Sequence, residues 1–327
     1  MFTKRQTGAL LKIPELKEWT INRGLSLDEV GVYYYKFFVR PITNYVDIKD
    51  AVLCDCAAGL GWLSFAFLLC GGKAAVLVEP NEVKYRIAQQ IVEIVGVRDK
   101  CTFFDSLLQE IALPDKSIDV FASIETLEHV GLANIGECLK KINRLTRRLV
   151  IVTAPNRLFP IDSHDTRLPF AHWLPKPLRR TYISAFGKRD TDLNEYPVPW
   201  TLFKNLKDFR PISKALVFNN VDAWRRAYPL LIPYQRRGYR SRPPRSQDIM
   251  LSFLSQLLGR YSFVATWNLS SVWLAKNEPA VSHLATSSAG LDDPSSRLRG
   301  FAGPVCRSAA GSFMPTDAVG RSHRSRD

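Results

Sequence analysis

Several features are missing from this 327-residue chain. No run of eighteen or more apolar residues is free of charge, which excludes a typical transmembrane helix. The first seven residues are not followed by a long apolar region, so we expect no secretory signal peptide. The six cysteines form no C-x-x-C pair and show no zinc-ligand spacing. Together these absences favour a reduced, cytoplasmic protein and indicate no metal site.

Negative charge is scarce in one part of the chain. Residues 140–245 hold 23 Lys or Arg against 7 Asp or Glu, a local net charge of +16, while the whole chain carries +14. Such a field attracts an acidic substrate, an anionic membrane face or a nucleic acid, although a solvated basic surface needs no function. Three arginine pairs are candidates for binding phosphate or carboxylate, and ordinary exposed charge explains each of them as well. They are Arg179-Arg180, Arg225-Arg226 and Arg236-Arg237.

A short segment near residue 55 predicts a nucleoside-binding βαβ unit. An apolar run ends at Asp55, a turn of small residues continues through Gly59 and Gly61, and a helical pattern begins at Trp62. About twenty residues later a second apolar run ends at Glu79. The turn lets backbone approach a ligand, and a carboxylate at the second strand's end accepts hydrogen bonds from ribose hydroxyls.

The spacing within this turn argues against a nicotinamide dinucleotide. Dinucleotide-binding units carry G-x-G-x-x-G, with the pyrophosphate on the helix N-terminus. This chain instead has Asp55-x-Ala57-x-Gly59-x-Gly61, with a leading acid and only two glycines. A leading carboxylate repels pyrophosphate and suits a ligand with a cationic amino acid end. A dehydrogenase is therefore disfavoured.

The segment resembles the first motif of class I S-adenosylmethionine-dependent methyltransferases, which reads acid-x-Gly-x-Gly-x-Gly. The resemblance covers residues 50–156 and departs from the family at Ala57, where glycine is usual. A third short strand ends before Asp105 and Ser106, at the family position that contacts adenine. Residues 117–130 resemble the fourth strand and following loop of small-molecule, type 11-like members. These motifs occur together in the family's order.

The resemblance implies roles for particular residues. Asp55 organises the loop and the cationic amino acid end, Glu79 accepts from the ribose, and Asp105 contacts the adenine amino group. Structural roles compete: a strand-end cap for Asp55 or Glu79, a plain turn for the glycines, and a helix N-cap for Asp105 at 106–110. The full set of candidate S-adenosylmethionine-binding residues is Asp55, Ala57, Gly59, Gly61, Glu79, Pro80, Asp105, Ser106 and Ile124.

Candidate catalytic residues come from the ends of the fourth and fifth strands. Methyl transfer is an in-line displacement that needs alignment and, for a hydroxyl acceptor, proton removal. Glu125 faces the methyl in the family geometry. His164 lies between two acids and could act as a neutral imidazole base, and His172 is a second candidate. A structural role is the competing interpretation for all three.

Alternating patterns predict a Rossmann-like α/β fold with a mostly parallel sheet and an antiparallel terminal hairpin. The predicted strands are 51–55, 74–79, 100–104, 117–123 and 148–153, with helices near 62–70, 81–95 and 131–145. The predicted organisation is a helical cover at 1–50, a cofactor core at 51–156, a substrate-facing insert at 157–258, a closing hairpin at 259–276 and a disordered tail at 277–327. Within the hairpin, two strands are predicted at 261–268 and 271–277.

The favoured function is transfer of a methyl group from S-adenosylmethionine to oxygen, nitrogen or carbon of a small-molecule, lipid-like or glycan-like acceptor. An acidic or membrane-associated molecule is compatible with this class of acceptor. RNA methylation is an alternative because aromatics interleave with the basic insert. Against it, no N/D-P-P-aromatic motif follows the fourth strand, where Ser123, Glu125 and Thr126 stand instead. An inactive cofactor-binding scaffold is a third possibility, motivated by Ala57. The oligomeric state stays open.

Overall fold

In the computed structural model, the described residues are 2–23, 26–159, 162, 166, 168–188, 194–212, 221–222, 225, 245–258 and 271–277. His164, the predicted strand at 261–268 and the predicted tail beyond residue 277 lie outside them. Within the described part of the chain, no helix is long and apolar enough to cross a membrane.

The helices with defined bounds in the described part of the chain fall into an N-terminal group, three that alternate with strands, and three that follow β5. Their bounds are α1 Lys4–Leu10, α2 Pro14–Arg23, α3 Leu27–Tyr34, α4 Arg40–Thr43, α5 Trp62–Leu69, α6 Glu82–Val95, α7 Leu132–Leu145, α8 Lys176–Ala185, α9 Pro199–Asn205 and α10 Arg245–Leu258. The three predicted helices in the core are confirmed as α5, α6 and α7. A π-helical segment, Tyr35–Val39, joins α3 to α4.

Seven strands form one sheet in the order β3-β2-β1-β4-β5-β7-β6. Their bounds are β1 Val52–Cys56, β2 Ala74–Val78, β3 Cys101–Phe104, β4 Ile118–Ile124, β5 Thr146–Thr153, β6 Phe209–Pro211 and β7 Ser271–Ala275. The first five strands pair in parallel, and β7 is antiparallel to both β5 and β6. The predicted α/β fold is confirmed. The order of the strands across the sheet reverses direction between β1 and β4, and ligands of open α/β sheets bind beyond the strand ends at such a point.

Each central strand is buried on both faces, which explains its continuous apolar sequence. In β1, Leu53 packs into one apolar cluster with α5 and α6, whereas Cys54 and Cys56 pack into a second cluster with α7 and α9. The sheet is therefore the middle layer of three. This arrangement leaves the carboxyl ends of the strands as the place where polar side chains meet.

The N-terminal helices pack against the layer that contains α5. Ser26 and Glu29 form a capping box at the start of α3: the Ser26 amide donates to Glu29 Oε2 at 2.7 Å, and the Glu29 amide donates to Ser26 Oγ at 3.2 Å. The Phe2 ring meets the Trp62 ring edge-on at 6.2 Å between centroids. The first residues of the chain thus contact the helix that follows the predicted cofactor loop.

The outer strand β6 was not predicted from the sequence. It lies within the predicted insert at 157–258. Its entrance is fixed by Asp208, whose Oδ2 accepts from Lys116 Nζ at 2.8 Å and from Asn143 Nδ2 at 3.0 Å. The Asp208 amide in turn donates to Asn143 Oδ1 at 3.0 Å. The segment after β5 therefore contributes the outermost strand of the sheet, which pairs with β7.

Candidate active site

Asp55 is the penultimate residue of β1 and is buried. Its Oδ2 accepts from the Ser64 amide at 3.2 Å and from Ser64 Oγ at 2.9 Å, which ties the strand to the first turn of α5. Burial raises the pKa of Asp55 to about 6, and nearby Glu79 adds to the rise while the Ser64 bonds oppose it. A carboxyl held in this way is ready to ionise against a cationic ligand group.

The loop from Ala57 to Gly61 turns sharply because three of its residues have left-handed backbone. The φ angles are 56° at Ala57, 57° at Gly59 and 79° at Gly61. A Cβ on Gly61 would come within 2.7 Å of the Phe65 ring, whereas a Cβ on Gly59 would meet nothing within 4 Å. Gly61 is therefore required by packing, and Gly59 faces open space that a ligand can use.

Glu79 follows β2 directly and closes the same loop from the neighbouring strand. Its Oε2 accepts from the Gly59 amide at 2.6 Å, and its Oε1 accepts from the Asn81 amide at 2.9 Å. Each carboxylate oxygen has two lone pairs, so both oxygens keep capacity to accept from a diol. In the predicted βαβ unit, Asp55 and Glu79 lie at adjacent strand ends. The pairing of Cys56 in β1 with Val78 in β2 places them there.

Asp105 and Ser106 come directly after β3, as expected. Asp105 is exposed, while Ser106 is partly buried and its Oγ has no hydrogen-bond partner among the described residues. Residues 106–110 form a turn rather than a helix, so the competing role of Asp105 as a helix N-cap is not seen. Pro80, beside Glu79, is exposed.

Glu125 lies at the carboxyl end of β4, directly after Ile124, in a strained conformation with φ of 49°. Its amide donates to Thr153 O at 2.8 Å and lies 3.0 Å from Thr153 Oγ1, so the end of β5 holds it in place. The next residue, Thr126, donates its hydroxyl to Cys56 O at 3.3 Å. Strained residues of this kind persist where surrounding structure fixes them, often at functional sites.

His172 is buried beyond β5. Its Nε2 is 3.1 Å from Arg157 O, so this nitrogen must carry the proton that the carbonyl accepts. Burial lowers the pKa of His172, although the Arg157 carbonyl and the Asp162 carboxylate oppose the change. The ring also packs against Tyr196 at 5.1 Å between centroids. The imidazole is thus neutral near pH 7 and anchored to the backbone. His164, the other predicted histidine, lies outside the described residues.

A buried polar network that sequence reasoning missed joins the loops after β4 and β5. Asp162 accepts from Tyr196 OH at 2.5 Å and from Thr166 Oγ1 at 2.8 Å, and lies 3.5 Å from Arg179 Nη2. Arg179 Nη1 donates to Asn194 O at 2.7 Å. Arg179 is therefore an internal residue rather than part of an exposed pair, and the sequence offered no signal for this because its partner is seventeen residues away.

The Asn194 side chain extends the network to the loop after β4. Its Oδ1 is 2.9 Å from His129 Nδ1. Glu195, the next residue, donates its amide to Glu128 O at 3.1 Å. The residues after β5 therefore brace the loop that carries Glu125. Among the described residues, no group of three or more His, Cys, Asp or Glu is arranged to hold a metal ion.

The fold and these strand-end carboxylates define a nucleoside-binding α/β domain. Residues 54–152 match the family model described as "Methyltransferase domain". This match runs from the middle of β1 to near the end of β5 and includes both candidate cofactor carboxylates. That part of the chain is a class I S-adenosylmethionine-dependent methyltransferase domain, as its motifs suggested.

Individual relatives are more distant. The histone-arginine methyltransferase CARMER of Drosophila erecta is 35% identical over 80 residues, which cover 24% of this chain and 15% of that protein. The chain thus spans a small part of the curated relatives it matches.

The solved structures that match this chain are also distant from it. A proposed S-adenosylmethionine dependent methyltransferase from Listeria monocytogenes is 13% identical, covering 75% of this chain and 99% of that one, with a TM-score of 0.43. Magnesium protoporphyrin IX methyltransferase from Synechocystis PCC 6803, solved with its bound cofactor, is 18% identical over 43% of this chain and 62% of its own, with a TM-score of 0.32. TM-scores below 0.5 are too low to transfer anything to this chain.

Proposed function

We propose that the protein transfers a methyl group from S-adenosylmethionine to a small-molecule, lipid-like or glycan-like acceptor at an oxygen, nitrogen or carbon atom. The observation that carries this proposal is the position of Asp55 and Glu79 at adjacent strand ends, on either side of one glycine loop. Glu79 binds the Gly59 amide, and the open space at Gly59 is where a ligand fits. When bound, S-adenosylmethionine supplies a methyl on a positively charged sulfur that the acceptor displaces in line.

The cofactor assignments rest on what each group can accept. Glu79 keeps lone pairs for the two ribose hydroxyls, and Asp55 meets the cationic amino end once ionised. Asp105, with the buried hydroxyl of Ser106 beside it, takes the adenine amino group. Ala57 and Ile124 are proposed to contribute backbone and apolar surface to the cofactor site, and Pro80 is proposed to border it.

The acceptor side is assigned to the ends of β4 and β5. Glu125 is the proposed group nearest the reacting atoms, because Thr153 holds its strained backbone at the carboxyl end of β4. His164 is the proposed general base for a hydroxyl acceptor. His172 is proposed to act through its neighbours, because its proton is committed to Arg157 O and its ring is buried.

Calorimetric titration tests the cofactor part of the proposal. The wild-type protein should bind S-adenosylmethionine and S-adenosylhomocysteine and should not bind NAD. Glu79→Ala should weaken both affinities about 100-fold, because a charged acceptor of two hydrogen bonds is lost. Glu82→Ala is the matched control, because Glu82 is exposed on α6 and pairs with Arg86 along the same helix. Equal binding by Glu79→Ala would contradict the cofactor assignment.

Transfer of a labelled methyl group tests the activity. Acceptor pools should be offered separately as polar metabolites, phospholipid extracts, RNA and an arginine-rich histone peptide. Label in metabolites or lipid supports the proposal, and label only in RNA or peptide replaces it. Cofactor binding without transfer to any pool would favour an inactive scaffold. Undiminished turnover in His164→Ala would remove the proposed base.

A further inference from the structure

Residues 168–188 carry several large apolar side chains on the outside of the protein. The exposed fractions are 50% for Phe170, 45% for Trp173, 59% for Leu178 and 58% for Phe186. Single exposed apolar residues are normal on any protein, but a contiguous group marks a surface that contacts something else.

These side chains form two neighbouring groups, which we treat together as one patch. The Phe170 and Trp173 rings lie 5.0 Å apart, and the Tyr182 and Phe186 rings lie 5.1 Å apart. Leu178 and Tyr182 are one helical turn apart on α8 and share a face. Beneath them, a small buried cluster joins the two halves of the patch, with Tyr182 packed against it. We define the docking surface as Phe170, Trp173, Leu178, Tyr182 and Phe186.

The backbone at Phe170 is in a conformation that is strained for a residue with a large side chain. Its φ is 57°, in the left-handed region that bulky residues seldom adopt. Its ring is nevertheless half exposed. Strain and solvent exposure both cost stability, so an exposed ring on a strained backbone is a functional signal.

The charge of the segment has one sign. Residues 168–188 contain no Asp or Glu, and Lys176, Arg180 and Lys188 are exposed. Lys176 has one acidic neighbour from outside the segment, Glu195, at 3.5 Å. The fourth cation, Arg179, is turned inward to Asp162. The exposed face is therefore apolar and basic together.

We propose that the docking surface binds the interface of an anionic phospholipid bilayer. Aromatic and leucine side chains enter the boundary between headgroups and acyl chains, while Lys and Arg meet the acidic headgroups. RNA fits less well, because Leu178 has no π-face on which a base can stack. A symmetric contact with a second copy fits less well too, because it would bring like charges together.

The docking surface lies beside the candidate active site. Trp173 Nε1 and His172 both bond to Arg157 O, and Arg157 follows closely after the end of β5. A docked protein would thus present the acceptor side of its sheet near the membrane. Delivery of a lipid acceptor rests on the proposed function, whereas the membrane binding itself does not.

Vesicle flotation with the full chain tests the proposal. Vesicles of phosphatidylcholine and phosphatidylglycerol at three to one should carry the protein, and vesicles of phosphatidylcholine alone should carry at least about tenfold less. The double substitution Leu178→Glu with Phe186→Glu should reduce binding at least about tenfold. Val83→Glu is the matched control, because Val83 is also 59% exposed but lies on α6. It should bind as the wild type does.

Each other outcome has a defined meaning. Wild-type binding by the double variant, or equal loss in Val83→Glu, overturns the proposal. So does binding of a 20-nucleotide RNA in place of vesicles, or a dimer in solution that the double variant abolishes. If the double variant does not fold, Arg180→Glu with Lys188→Glu replaces it, with the same expected loss. Calorimetric binding of S-adenosylmethionine should stay unchanged in every folded variant, so failure of docking is distinguishable from failure of the proposed function.

Discussion

The two sides of the sheet's carboxyl edge are built from contacts of different range. On the cofactor side, Asp55 bonds to a residue nine positions away, and Glu79 to one twenty positions away. On the acceptor side, Tyr196 reaches back 34 residues to Asp162, and Asn194 reaches back 65 residues to His129. The first side is a local turn with charged ends, and the second is a tertiary assembly. Four substitutions or conditions test this difference.

The largest effect is expected on the acceptor side. Asp162→Asn should destabilise the protein by about 3–5 kcal/mol, because it removes a buried carboxylate that accepts from Tyr196 and Thr166 and faces the buried Arg179 guanidinium. Urea unfolding measures this loss. Tyr196→Phe, which removes one hydrogen bond to the same carboxylate, should cost about 1 kcal/mol. If the two sides are independent, S-adenosylmethionine affinity in folded Asp162→Asn stays within about twofold of wild type. A parallel loss of affinity would mean that the sides are coupled.

Gly61→Ala tests the cofactor side, and urea unfolding again measures the change in stability. We expect a loss of about 3 kcal/mol, because the new methyl collides with Phe65 and Leu77 and the backbone stays left-handed. Gly96→Ala is the control, because its φ of 78° matches the 79° of Gly61 while a Cβ there meets nothing within 4 Å. It should cost about 1 kcal/mol. Equal losses would show that backbone conformation, rather than packing, fixes the loop.

The pH dependence of cofactor binding reports on Asp55. Its pKa is raised to about 6, so the carboxyl becomes protonated as the pH falls below that value. Because the proposed partner is a cationic amino group, binding favours the ionised form, and affinity should fall about tenfold per pH unit below 6. Titration from pH 5 to pH 7 measures this slope. Asp55→Asn should bind weakly with a flat profile, and an unchanged slope would assign the titration to another group.

The smallest effect concerns the departure from the family motif. Ala57 has a φ of 56°, which costs a residue with a Cβ roughly 1 kcal/mol, whereas glycine adopts it freely. Ala57→Gly should therefore stabilise the protein by about 0.5–1 kcal/mol, measured by the same urea unfolding, and should keep S-adenosylmethionine affinity. Destabilisation would indicate that the methyl group of Ala57 packs usefully in the loop.

The range of contacts also explains what the sequence could predict. The core strands, the helices α5 to α7 and the acids at strand ends follow from apolar runs and turn residues within short windows. The strand Phe209–Pro211 is too short, and too unusual in ending on proline, to be recognised before its pairing with β7 is known.

Burial of a charged residue escapes prediction for a related reason. Arg179 and Arg180 are adjacent and look alike as an exposed basic pair, yet one is internal and the other is exposed. Arg179 faces Asp162 and donates to Asn194 O, and both of these positions depend on how the chain folds back after β5. The acid partner of a basic residue is a property of the tertiary fold rather than of local composition.

The pairing of β5 has a consequence for how the chain must be made. Its apolar residues Leu149–Val152 pair on the outer side with β7, which is synthesised more than a hundred residues later. Until Ser271–Ala275 leaves the ribosome, a hydrophobic strand edge stays bare and can capture other nascent chains. A shortened version ending after the family match would keep that edge permanently, so soluble expression should require the chain through residue 275.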